Sequence, residues 1–212
     1  ADTYSGNTTI STGTLKAGSA TAFGTGTISV TSGAVLDLNG QTMTSTGGLM
    51  LNGTGISSSG ALINSNATAS SYAGLLSLGS ASSILGGTGT IALSNTGTIT
   101  GATYGLILGG AAGGAIASNI GTTTGTLFKQ DAGTWTLNGA NTYSGTTTLS
   151  AGTLKAGSAT AFGTGAISVI SGAALDLNGL NYSTAEPLTI NGTGVSANGV
   201  ISNSTTTAAT FA

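Results

Sequence analysis

The sequence has no cysteine, no histidine and no arginine in its 212 residues, and a single proline. Without cysteine there is no disulfide framework and no thiol chemistry. Without histidine a Ser-His-Asp arrangement is excluded. Charge is scarce as well: Lys16, Lys129 and Lys155 face Asp2, Asp37, Asp131, Asp176 and Glu186, 4% of the chain in all, where ~25% is usual. A net charge of −2 leaves no electrostatic footprint for nucleic acid or an anionic lipid surface. No uninterrupted apolar run approaches the ~20 residues of a membrane span. Residues 105–120 come nearest but are broken by glycine, so no membrane insertion of this segment is expected. The chain opens on Ala1 with no leader pattern, and the expectation is a segment of a longer protein.

Glycine, serine, threonine, asparagine and alanine fill the space that charge leaves. That mixture disfavours long helices, because Gly, Thr, Ser and Asn rank low in helix propensity. Disorder is the competing reading of such a composition. Short alternating apolar runs argue against it, since they supply surface to bury. Ile28-Ser29-Val30, Leu49-Met50-Leu51, Thr134-Trp135-Thr136-Leu137 and Ile167-Ser168-Val169 are such runs, each bounded by Gly, Asn or Ser. Asn39-Gly40, Asn52-Gly53, Asn138-Gly139, Asn178-Gly179 and Asn191-Gly192 close strand words with residues that tolerate positive φ.

Two periods organise the chain. Residues 3–40 return at 142–179 with six differences: Asn7/Thr146, Ile10/Leu149, Thr12/Ala151, Thr27/Ala166, Thr31/Ile170 and Val35/Ala174. The likeness continues more weakly to Asn64-Ser65 and Asn203-Ser204. One copy therefore covers 1–73 and the next 140–212, with a single-copy region over 74–139, and the whole chain 1–212 is expected to be one segment of a longer repeat array.

The second period is shorter. Leu15 returns as Leu36, Ile28 as Leu49, Val30 as Leu51 and Val35 as Ile56, each at the same spacing of roughly 21 residues, within the range of solenoid repeats. In the second copy the same shift lays Leu154 on Leu175, Ile167 on Leu188, Val169 on Ile190 and Ala174 on Val195. Like residues stacking at a fixed short period mark a solenoid, with strands pairing in parallel one coil later. The expected fold is all-β, a parallel β-helix of about ten coils of roughly 21 residues; an antiparallel sandwich or barrel is the alternative. The same shift sets Lys16 over Asp37 and Lys155 over Asp176, two exposed ion pairs between rungs.

Several motifs invite a sharper function. Lyases and hydrolases built on β-helices need paired carboxylates or an acid beside a cation. The five acids here form no such set, so no catalytic residue is expected and the chain is read as no enzyme. Residues 86–91, GGTGTI, lack the Asp of a calcium-binding nonapeptide, and the Gly-rich runs lack the ending of a phosphate loop. No metal and no cofactor is therefore expected. Thr122–Thr124, Thr146–Thr148 and Thr205–Thr207 could form ladders suited to ice or glycan, but strand propensity on an exposed polar sheet is the favoured explanation. Trp135, Tyr4, Tyr72, Tyr104, Tyr143 and Tyr182 could stack on sugars or pack between coils. The N-glycosylation patterns at Asn7, Asn52, Asn66, Asn181, Asn191 and Asn203 are what chance supplies in such a composition.

Residues 127–154, LFKQDAGTWTLNGANTYSGTTTLSAGTL, resemble the passenger-associated transport repeat of bacterial autotransporters. Residues 1–15 resemble its second half. The resemblance implies a right-handed parallel β-helical passenger, exported by type V secretion and displayed outside a Gram-negative cell. It implies a structural, adhesin-like stalk that supports outer-membrane translocation and depends on a C-terminal membrane barrel elsewhere in the full-length protein. Partners would be host or biofilm surface glycans or proteins. A solenoid that binds glycan or ice through its Thr ladders is the alternative function.

Overall fold

The computed structural model describes residues 2–182 and 186–211. The glycosylation pattern that begins at Asn181 ends outside them. The described chain winds as a three-sided parallel β-solenoid. The second side holds one strand from each of nine coils: Gly13–Lys16, Ala34–Asp37, Leu62–Asn64, the end of Leu76–Gly86, Leu106–Gly109, Leu127–Lys129, Thr147–Leu149, Ile167–Val169 and Leu188–Ile190. The third side runs through Thr42–Met43, Ser70–Tyr72, Ile91–Leu93, Gly113–Ile116, Thr134–Leu137, Gly152–Ala156, Ala173–Asp176 and Ile201–Ser202. On the first side lie Thr8–Ile10, Ile28–Val30, Leu49–Gly53, the start of Leu76–Gly86, Thr98–Ile99, Asn119–Ile120, Asn181–Tyr182 and Thr210–Phe211. Every strand pairing among the described residues is parallel. Nine coils at ~4.8 Å each give a rod of about 40 Å.

The alternation of apolar and small polar residues explains the packing. In a strand, neighbours face opposite sides, so Ile28 and Val30 turn in while Ser29 turns out. Inward residues stack directly on their counterparts one coil later. On the second side the column runs Leu36, Leu62, Ile84, Leu108, Lys129, Leu149, Val169, Ile190. Burying each aliphatic member from Leu36 to Val169 contributes about 1.5–3 kcal/mol, whereas Ile190, on the last coil, is half exposed.

The predicted one-coil register holds for Leu15–Leu36, Ile28–Leu49, Val30–Leu51, Leu154–Leu175, Ile167–Leu188 and Val169–Ile190. It fails for Val35–Ile56 and Ala174–Val195. Leu36 pairs with Leu62 and Leu49 with Leu76, offsets of 26 and 27. The extra residues form an arch over 53–60 with a short 3-10 turn at Ile56–Ser58, repeated at Val195–Ala197. These longer coils are why nine fit where about ten were expected. Four of the five Asn-Gly corners use positive φ, with Asn39 and Asn178 at 48° and 51°, Gly40 and Gly179 at 74°, and Gly53 and Gly192 at 77° and 85°; Asn138-Gly139 turns without it. They join successive sides of the solenoid and close no hairpin.

Candidate functional site

Residues 127–156, where the sequence resemblance is fullest, make about one and a half coils. Lys129 extends inward from its strand and is fully buried. Its ammonium donates to the carbonyls of Gln130 at 2.7 Å, Asp131 at 2.7 Å and Ala151 at 2.9 Å. Two successive corners are thereby pinned from inside by one cation. Burial pushes the Lys129 amine down to about 8, and the nearby Asp131 charge opposes that shift. Asp131 itself sits at φ 60°, and its carboxylate accepts from the Gly110 amide at 2.8 Å.

The rest of the motif continues the same work. Trp135 is fully buried, and its indole N–H donates to the Gly109 carbonyl at 2.9 Å. Asn141 stands between coils on the first side: its amide oxygen accepts from Ile120 N–H, and its amide nitrogen donates to the Ala161 carbonyl. A side chain thus completes the ladder where no strand forms. Tyr143 is buried, with its hydroxyl 2.7 Å from Thr147 Oγ1. Thr147 donates onward to the Phe162 carbonyl, so the tyrosine is the donor of that pair. Burial pushes the Tyr143 phenol far up, so it stays protonated. At Gly145 a side chain would collide with the carbonyls of Thr124 and Gly125. The N-terminal half copy repeats the geometry, with Tyr4 Oη 2.7 Å from Thr8 Oγ1.

A second constellation appears once in each copy. Lys16 Nζ lies 3.7 Å from Asp37 Oδ2, and Lys155 Nζ lies 3.8 Å from Asp176 Oδ2, on the adjacent rungs predicted. The pairs are less exposed than expected, because both carboxylates are buried. A third coil explains this. Ser65 donates its hydroxyl to Asp37 at 2.6 Å and its amide at 3.0 Å, and Lys16 donates to the same hydroxyl. Ser204 holds the matching place, receiving Lys155 at 2.9 Å and donating its amide to Asp176 at 3.0 Å. Burial disfavours the Asp176 charge, but the Ser204 hydroxyl and amide, the Asn178 amide and Lys155 together outweigh it and hold the carboxyl below its usual range. A serine whose proton is held by a carboxylate, beside a donating ammonium, is a clamp across three coils.

The remaining candidates scatter. Thr147 points inward and Thr148 outward, with Phe128 and Ser168 as the rung neighbours of Thr148, while Thr122–Thr124 and Thr205–Thr207 lie in loops. The three threonine runs therefore build no ladder. Tyr72 and Tyr182 are buried and donate to the Gly47 and Gly163 carbonyls; burial pushes the Tyr72 phenol up to about 12. Tyr4 and Tyr104 remain exposed. Among the described residues no three acids, histidines or cysteines converge on a metal-sized space. Two shallow grooves of about 360 and 320 Å3 share Thr134 on the outside of the third side, floored by small residues such as Ala92, Ala115 and Ala174.

Sequence reasoning missed the inward Lys129 and the two clamp serines. Strand parity carried the first signal, since Leu127 and Lys129 share a face. The matched Asn64-Ser65 and Asn203-Ser204 carried the second.

Comparison with known proteins agrees with this geometry. Residues 1–17 and 127–156 match the family described as the passenger-associated-transport-repeat. Over 62 residues, 28% of this chain, the sequence is 48% identical to the adhesin BmaC autotransporter of Brucella suis biovar 1 (strain 1330). That stretch covers 2% of the adhesin's own length. No solved structure matches.

Proposed function

We propose that this chain is a structural segment of a surface-displayed or secreted autotransporter passenger, forming an adhesin-like stalk and supporting translocation across the outer membrane. The observation that carries this reading is the use made of the transport-repeat residues. Lys129, Trp135, Asn141 and Tyr143 all turn to the interior and satisfy backbone groups or side chains of neighbouring segments. Motif residues that a binding or catalytic role would present outward are the ones that hold coils in register here. In this reading the chain is no enzyme and needs no metal or cofactor. Its partners are a membrane barrel elsewhere in the full-length protein and, at the cell exterior, host or biofilm surface glycans or proteins.

A solenoid made coil by coil suits passage through a pore, because each added coil buries its face on the last and needs no distant segment. The test is surface display of the full-length protein carrying Lys129→Ala and Asn141→Ala together. Protease accessibility on intact cells reads display, and total protein by immunoblot reads synthesis. Display should fall while synthesis holds. Unchanged display by a variant whose isolated segment is measurably destabilised would overturn the translocation role.

A further inference from the structure

We infer that consecutive copies of the long repeat show the same surface on successive sides of the rod, each copy turned by one side about the axis relative to the last. The strand register carries this. Thr8–Ile10 lies on the first side and pairs with Ile28–Val30. Its repeat counterpart, Thr147–Leu149, lies on the second side between Leu127–Lys129 and Ile167–Val169. Gly13–Lys16 is on the second side in line with Ala34–Asp37 and Leu62–Asn64, while its counterpart Gly152–Ala156 is on the third, paired with Thr134–Leu137. Thr42–Met43 pairs with Ser70–Tyr72 on the third side, and its counterpart Asn181–Tyr182 pairs with Thr210–Phe211 on the first. Every element moves by one side in the same sense.

The cause is arithmetic imposed by loop length. Strand partners stand 19 to 24 apart in sequence across coils without an arch (Thr134–Thr153 to Ser82–Leu106), and 26 to 29 apart where an arch intervenes (Leu36–Leu62 to Asn181–Thr210). The step from Thr8 to Thr147 is six full coils and one side more. The single-copy region makes the change without breaking the ladder: Leu76–Gly86 pairs with Leu49–Gly53 at its start and with Leu62–Asn64 at its end, rounding a corner as one strand. Three copies bring the phase back after nineteen coils, about 90 Å at ~4.8 Å per coil.

The relief that turns with the phase is the arch. Ser57 and Ser58 hold φ 50° and 62°, and Ser196 and Ala197 hold 50° and 60°. Two successive left-handed residues without glycine are costly, and both copies keep them at an exposed tip although the residues differ. The first arch stands at the corner between the first and second sides, and the second arch between the second and third. A flat partner laid along one side, such as a second rod in parallel, would meet the same arch once in three copies.

The absence of cysteine makes the test direct. A Ser58→Cys/Ala197→Cys variant labelled with gold clusters marks the two arch tips, and Thr9→Cys/Thr148→Cys marks two outward strand positions independently. Electron microscopy of the rod should show the tags of each pair separated by about a third of a turn around the axis, by the three-sided section. Tags lying in line along one side, in either pair, would overturn the inference. The stalk reading would survive that result, because a rod serves in any phase.

Discussion

The ring of Trp135 occupies the space that Gly114, its partner one coil earlier, leaves empty. A Cβ built on Gly114 would lie 2.9 Å from Trp135 Cη2 and closer still to the carbonyl of Ile91. The indole could not retreat without releasing Gly109, to which its N–H is bonded. Gly114→Ala should therefore lower stability by about 1–3 kcal/mol, the usual range for overpacking. Gly18→Ala, where nothing lies within 4 Å and φ is ordinary, should change it by less than about 0.5 kcal/mol. Denaturant melts of the two variants measure the difference.

That pair also shows what the sequence could and could not reveal. Trp135 alternates with Leu137 in a strand word, which is enough to place it inward. Its need for a glycine one coil earlier appears only when the coil register is known. The register itself was legible wherever the coils are plain, and the Lys–Asp pairs followed from it. It was not legible across the arches, because Ile56 and Val195 fall in phase with Val35 and Ala174 by number alone. Parity sets Lys129 on the inward face with Leu127, against its residue type. A lysine is expected to face water, and only the unsatisfied corner carbonyls explain why this one does not.

Lys129→Met tests that explanation. Methionine restores an apolar column between Leu108 and Leu149, but it leaves the carbonyls of Gln130, Asp131 and Ala151 without their shared donor. Loss of these bonds should outweigh the gain in packing and cost about 1–3 kcal/mol. The pH response identifies the cause. With the folded amine near 8 and its ordinary value 10.5, the unfolded chain binds more protons between those values. Native stability should then rise as pH increases from 8 towards 10.5. The methionine variant should lose this rise, and melts at pH 7, 9 and 10 will read it.

The clamp on Asp176 should be asymmetric. Lys155 is partly exposed, and its removal as Lys155→Ala should cost about 0.2–1 kcal/mol. Asp176→Ala strands the Ser204 and Asn178 amides that the buried carboxylate accepts, and should cost more, about 1–3 kcal/mol. The folded carboxyl lies below its ordinary range, so its contribution is present above about pH 4 and is lost as the pH falls through the folded value. Equal costs for the two variants would assign the clamp to the ion pair alone.

Tyr4 and Tyr143 provide the sharpest internal control, since they are the same residue of the repeat with the same bond. Each hydroxyl lies 2.7 Å from the hydroxyl of a threonine four residues on. They differ in burial: Tyr143 is fully enclosed, whereas Tyr4 on the first coil is 43% exposed. In Tyr143→Phe the lost donor leaves Thr147 Oγ1 with no water to replace it, although Thr147 keeps its own bond to Phe162. A cost near ~1 kcal/mol is expected. In Tyr4→Phe water takes the place of the phenol at once, and the change should stay within about 0.5 kcal/mol. If the hydroxyl served a ligand at the surface, the order would reverse: Tyr4→Phe would alter binding while Tyr143→Phe would not. Parallel melts of both variants decide between those outcomes. A larger loss for Tyr143→Phe means that this motif tyrosine acts from the interior, by holding Thr147.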